Sequence, residues 1–242
     1  MSPAGSSPIG APPHIHALLT KLHKLSIDQE AELQKSKSKN NDGSSRFVSS
    51  TAAEPTDFDA LMRDKFIALD EDKCHFVYQL IRAKGATTIV EAGTSYGVST
   101  IYLALAAGRN AKALGKAGAT VIATEFEVEK AGAARAYWKE CGESVEGVVD
   151  LRVGDILETL KEGVRDVDVL LLDIWAKLAL PTLTLMQPKL RPGAVVLVDN
   201  TVAAAGGYKE LLEYMKAPGS GFTNIVVPYS GGFEMSVYYP PL

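Results

Sequence analysis

From Thr87 to Tyr239 the chain alternates between short runs of β-branched and aliphatic residues and segments long enough for a helix. The runs are TTIVEAG from Thr87, TVIATE from Thr120, VVDLRV from Val148, VDVLLLD from Val167, AVVLVDN from Ala194, TNIVVPY from Thr223 and FEMSVYY from Phe233. The first five are nearly continuous in apolar residues, as strands buried on both faces require. Helix-length segments between them imply parallel pairing through right-handed crossovers. Only Ser230-Gly231-Gly232 separates the last two runs, which predicts an antiparallel hairpin. The expected fold is an α/β, Rossmann-like sheet of seven strands, six parallel and the last antiparallel, preceded by N-terminal helices.

The N-terminal part reads differently. Residues 1–13 are rich in Pro, Gly and Ser, a composition too poor in apolar residues to pack. His14 to Leu33 carries Ile15, Leu18, Leu19, Leu22 and Leu25 at helical spacing. His14, His16 and His23 share that stretch and are read as surface or interface residues rather than metal ligands. Gln34 to Ser45 is a polar tract expected to be a linker. A second helical region is expected from Pro55 to Lys84, with Phe58, Leu61, Met62, Phe66 and Leu69 on its apolar face and Gly85 as its stop. The domain reading is an extension over 1–54 and the main domain over 55–242. The leucine stripe of the first helix fits a lid, a homodimer arm or packing within the chain.

Composition narrows the partners. A hydrophobic fraction of 46% is enough for a sizeable core, and a net charge of −4 argues against a nucleic-acid binder. Cys74 and Cys141 are too few for a disulfide framework and suit a reducing compartment. No apolar run nears the roughly 18 residues of a membrane span, and the N-terminus lacks a signal-peptide pattern. No membrane partner and a cytoplasmic location are expected.

In a doubly wound sheet, ligands bind beyond the carboxyl ends of the strands. The first run ends in Glu91-Ala92-Gly93-Thr94-Ser95-Tyr96-Gly97-Val98-Ser99. This is E-x-G-x-x-x-G, not the G-x-G-x-x-G of pyrophosphate sites. A carboxylate here would repel a phosphate and hold an ammonium, as on the amino-acid tail of S-adenosylmethionine. Glu125 ends the second run, where its two oxygens can take both hydroxyls of a ribose. Asp155, after the third, can meet an adenine edge or cap a helix. The fourth run ends in Asp173-Ile174-Trp175 and the fifth in Asp199-Asn200. Two carboxylates and an amide oxygen are hard ligands that would leave positions of a Mg²⁺ sphere open.

Residues Thr88 to Tyr238 resemble the metal-dependent class I O-methyltransferases, catechol O-methyltransferases in particular. The likeness lies in VEAGTSYGVST from Val90, LLLDIWAKLALP from Leu170, LRPGAVVLVDN from Leu190 and GGFEMSVY from Gly231. It implies Asp173, Asp199 and Asn200 as ligands of Mg²⁺ or a similar cation. It implies Glu91, Gly93, Ser95 and Ser99 at the methionyl end of S-adenosylmethionine, Glu125 at its ribose, Asp155 and Ile156 at its adenine. Asp173 and Trp175 would border both donor and acceptor. Two positions depart from the pattern. Ala176 stands where the family has a catalytic lysine, which leaves the adjacent Lys177 as the candidate base. The acidic residue that grips a catechol's second hydroxyl has no match between Thr223 and Ser230.

The resemblance implies methyl transfer by in-line displacement to an oxygen of a small phenolic or catechol-like acceptor, with a metal lowering the hydroxyl's pKa and Asp173 and Lys177 at the reacting end. Two alternatives remain at the level of sequence. One is a protein of this fold that binds the donor without catalysis, favoured by Ala176. The other is a nicotinamide-dependent oxidoreductase, disfavoured by the glycine pattern and the terminal hairpin.

Overall fold

The structure is a computed structural model and describes residues 7–39 and 65–241. Seven strands form one sheet: β1 (Thr88–Ala92), β2 (Thr120–Glu125), β3 (Val149–Val153), β4 (Val167–Leu172), β5 (Leu190–Asp199), β6 (Phe222–Val227) and β7 (Phe233–Tyr238). Their order across the sheet is β3-β2-β1-β4-β5-β7-β6. β1 is parallel to both β2 and β4, whereas β7 runs antiparallel to β5 and β6. The sheet is the one the apolar runs predict. Chain order reverses between β1 and β4, so the crevice above their carboxyl ends is where such a sheet receives its ligand.

Alternation along each strand sorts the core into two layers. Ile89, Val169, Leu171, Val195, Leu197 and Phe233 face one layer. It contains residues of α1 (Pro13–Lys39), α2 (Glu71–Lys84), α3 (Val98–Ala113) and α4 (Val128–Cys141). Val90, Leu170, Leu172, Val196 and Val198 face the other, with α7 (Ala176–Met186) and α8 (Ala205–Lys216). Between these lie two single turns, α5 (Glu143–Glu146) and α6 (Ile156–Thr159).

α2 buries Cys74, Val77, Tyr78 and Ile81, one stripe at helical spacing. It ends at Gly85, whose φ of 67° is left-handed and costs glycine little. Asn110 of α3 donates to the carbonyls of Ile81 and Ala86 at 2.7 and 2.9 Å, satisfying groups that a helix end leaves open. Arg82 donates back to Asn110. The two helices are thereby clasped together. Cys74 and Cys141 are free and buried.

α1 lies against this layer with Ile15, Leu18, Leu19 and Leu22 buried, while Leu25 is exposed. His23 is buried and shares a 2.8 Å hydrogen bond with the Tyr102 hydroxyl on α3. That corrects its reading as a surface residue: burial holds the imidazole below its ordinary pKa, so the ring is neutral in this contact. His14 is exposed, as expected. The leucine stripe packs within the chain.

Two boundaries differ from expectation. α1 continues past Leu33 to Lys39, because Gln34, Lys35 and Lys37 are good helix formers and polarity alone does not end a helix. The segment 65–70 is not helical. Its backbone is tied to α1 instead: Phe66 N–H donates to Gln29 Oε1 at 2.7 Å and Ala68 N–H to Ser26 Oγ at 3.0 Å. Phe66 and Leu69 are buried from this extended segment. Phe58, Leu61, Met62, the rest of the polar tract and the 54/55 boundary lie outside the described residues. Among the described residues no helix is long and apolar enough to cross a membrane.

If α1 is part of the core, Leu22→Ala should lower unfolding stability by about 2–5 kcal/mol in urea titration, as for other fully buried leucines. Lys24→Ala, on the exposed face, should change it by under about 0.5 kcal/mol.

Candidate active site

Leu172 of β4 pairs with Val198 of β5, so the next residues, Asp173 and Asp199, leave the sheet side by side. β1 ends beside them, since Asp173 N–H donates to Ala92 O at 2.9 Å. The chain then turns at Gly93 with φ 90°. A Cβ there would overlap the Asp173 carbonyl oxygen and the Ile174 side chain. Gly97, at φ 76°, packs against the Trp138 indole, whose N–H donates to Gly97 O at 2.9 Å. Both glycines are needed for close approach as well as for backbone angle. Ser95, between them, is also left-handed at φ 49°, a strained state for a residue with a side chain.

Glu91 holds this loop from beneath. It is fully buried and accepts hydrogen bonds from Thr94 at 2.8 Å and from Ser99 and Thr100 at 2.6 Å each. Glu91 was expected at the ligand's ammonium; in the structure its carboxyl group is turned inward, onto hydroxyls three, eight and nine residues along. Burial outweighs these three bonds and pushes its pKa up to about 7. Ser99 is likewise nearly buried, with its hydroxyl engaged on Glu91.

Glu125 reaches the same loop from β2. One oxygen accepts from Ser95 N–H at 2.7 Å and the other from Glu127 N–H at 2.8 Å. Asp155 is the N-cap of α6, accepting from Leu157 N–H at 2.8 Å, and Ile156 is buried behind it. Phe126 and Val128, beside Glu125, are 68% and 72% exposed, large apolar surfaces left open at the crevice. The sequence reading passed over Phe126, although an aromatic directly after a strand-end acid was the available signal.

At the other end of the crevice the largest departure is Lys73. This residue of α2 is 2% exposed, yet its ammonium donates to Asp199 Oδ1 at 2.7 Å and lies 2.9 Å from Asp70 Oδ2. Asn200, left-handed at φ 60°, turns its amide N–H onto Asp199 Oδ2 at 3.0 Å, with its oxygen packed against Gly231. Burial works against the Lys73 ammonium, but its bonds to Asp199 and Asp70 prevail and hold its pKa above the ordinary lysine value. Asp173 has its pKa pushed well up, by burial first and then by Asp199 and Glu91. Tyr208 lies below, donating to Ile174 O at 3.0 Å. Trp175 is 44% exposed, and Lys177 is exposed on the first turn of α7.

This arrangement does not fit the expected Mg²⁺ trio. Asp199 has a cation on one oxygen and an amide donor on the other, so a divalent ion would face the ammonium across a shared carboxylate. A lysine at the start of a helix gives no hint of this in sequence, because most such residues are solvated.

Two outcomes follow. Gly93→Ala must displace Asp173 or distort the loop and should weaken donor-analogue binding by tenfold or more in calorimetry, about 1.4 kcal/mol. Glu91 releases its proton near 4.5 when unfolded and about 7 when folded. Its contribution is thus full below 4.5 and lost as pH rises through 7, a difference of about 3 kcal/mol. In Glu91→Gln, unfolding titrations between pH 4.5 and 8 should lack that decline.

Residues 90–201 match a family described as a methyltransferase domain. No curated protein sequence matches the chain. Among solved structures, an O-methyltransferase from Bacillus cereus in complex with SAH aligns at TM-score 0.63 and 22% identity, over 71% of this chain and 83% of that one. The O-methyltransferase TomG from Streptomyces achromogenes, involved in tomaymycin synthesis and in complex with SAM, aligns at 0.61 and 26%, over 71% and 81%. A methyltransferase from Geobacter sulfurreducens gives 0.60 and 21%, over 74% and 85%. That domain spans β1 to β5 and the crevice at their carboxyl ends, and the sheet shares the fold of these methyltransferases.

Proposed function

We propose that the chain is an S-adenosylmethionine-dependent O-methyltransferase whose acceptor is a small phenol or catechol-like molecule, methylated on a hydroxyl at the Asp173–Asp199 end of the crevice. The carrying observation is that the glycine loop and the Asp173–Asp199 strand ends meet through the Gly93–Asp173 contact. The donor's methionyl part would lie on the loop of Gly93 and Ser95, which Glu91 and Ser99 fix from below. Its ribose would take Glu125, and its adenine would lie between Phe126, Asp155 and Ile156. An aromatic acceptor is favoured by Trp175 and Val202, which follow the two aspartates closely and leave large apolar surfaces exposed.

Methyl transfer needs the acceptor oxygen in line with the S–CH₃ bond, near 3 Å or about that, and positioning supplies much of the rate. The oxygen's lone pair forms the C–O bond as the C–S pair returns to sulfur. The hydroxyl proton leaves to a base at the same end, for which Asp173, at the strand end beside Asp199, is better placed than the exposed Lys177. A divalent cation forms no part of the mechanism, since Lys73 already holds Asp199.

Incubation with S-adenosylmethionine and a panel of mono- and dihydric phenols, with products read by mass spectrometry, tests the assignment. One product heavier by a methyl group is expected. Asp173→Asn should lower kcat by at least about 100-fold with donor affinity little changed, whereas Lys177→Ala should keep most of the activity. Donor binding without any methylated phenol would sink the acceptor assignment.

A further inference from the structure

Lys73 breaks three local rules at once. A cation in the first turn of a helix opposes the helix dipole. A buried lysine is expensive unless fully paired, and an apolar residue would pack there at less cost. Its partner Asp70 sits at the N-cap of α2 but makes no side-chain cap hydrogen bond, and takes the Lys73 ammonium instead. A helix start that forgoes its own cap to hold a buried charge has that charge positioned for something other than stability.

We infer that Lys73 is a built-in counter-ion for the acceptor end of the site, a positioning residue that takes the place expected for a divalent cation and makes the enzyme metal-independent. The ammonium carries three donors, of which Asp199 and Asp70 take two. Asp173 leaves the neighbouring strand beside Asp199, so the lysine stands at the end where both carboxyl groups gather. Tethered to a rigid helix, it fixes Asp199 without an exchangeable ligand. A single charge shared in this way cannot chelate two neighbouring hydroxyls as a dication does. The acceptor therefore needs only one hydroxyl, and a vicinal diol gains no advantage. This deepens the phenol assignment and rests on it for the acceptor, but the counter-ion role is independent of which acceptor is used.

Mn²⁺ is the probe, with unbound ion counted by its electron paramagnetic resonance signal. Full-length wild type should take up none at sub-millimolar concentration, and its affinity for S-adenosylhomocysteine should change by less than about twofold between chelator and excess Mg²⁺, since a cation bound at the site would be linked to donor affinity. Lys73→Met, which frees Asp199 and Asp70, should gain about one Mn²⁺ per chain, and Lys73→Arg should not. One Mn²⁺ bound by wild type and lost in Asp199→Asn would overturn the inference, and this arm needs no lysine variant to fold. Absence of S-adenosylhomocysteine binding would instead count against the donor site, leaving the Mn²⁺ result to decide the role of Lys73. Equal methylation of mono- and dihydric phenols in chelator is the expected kinetic result, and strict dependence on a vicinal diol with added Mg²⁺ would oppose it.

Discussion

The inward-facing carboxyl of Glu91 is the constraint on which the donor end depends. Three hydroxyls from the following loop and helix converge on it, so the path of residues 93–100 is set by one buried group at the end of β1. The same strand end is tied sideways: Thr124 Oγ1 on β2 donates to Glu91 O at 2.9 Å and accepts from Gly93 N–H at 3.3 Å. On the other flank Gly93 rests on Asp173. The loop is therefore clamped between β2 and β4, and a side chain at Gly93 would separate it from the residues proposed to hold the reacting oxygen.

A different economy rules at the acceptor end. There the carboxyl groups of neighbouring strands would repel each other if both were charged, and a cation on Asp199 offsets that repulsion. The chain supplies one in Lys73, which sequence places 100 residues before Asp173. The proposed donor end is thus held by neutral hydroxyls and the proposed acceptor end by charge. This division suits a reaction in which the donor's positive sulfur becomes neutral while the acceptor gives up a proton.

How legible each part was follows from the kind of interaction behind it. The sheet could be read because a strand buried on both faces must be mostly apolar, and the middles of β1, β2, β4 and β5 are. Asp173, Asp199 and Glu125 could be placed because strand ends in such a sheet face the ligand. The inward direction of Glu91 is not legible in sequence, since a charge pattern says nothing about Thr94, Ser99 and Thr100 closing around it. Asp155 was left between two roles, and its hydrogen bond to Leu157 N–H supports the cap. The segment 65–70 was misread because its hydrogen bonds come from Gln29 and Ser26, far away in sequence. Lys73 was missed for the same reason: its meaning lies in a contact spanning 126 residues.

The clasp between α2 and α3 joins these two ends. α2 carries Lys73 at its start and is gripped at its finish by Asn110 of α3, the helix that begins with Val98 and Ser99 under the donor loop. Tilting α2 would pull Lys73 away from Asp199 and, through the same lever, shift Ser99 beneath Glu91. Donor seat and acceptor seat are in this sense two ends of a single stiff bracket. Their spacing depends on this packing as well as on the Gly93–Asp173 contact, so a change at the Asn110 clasp reaches both seats from outside the crevice.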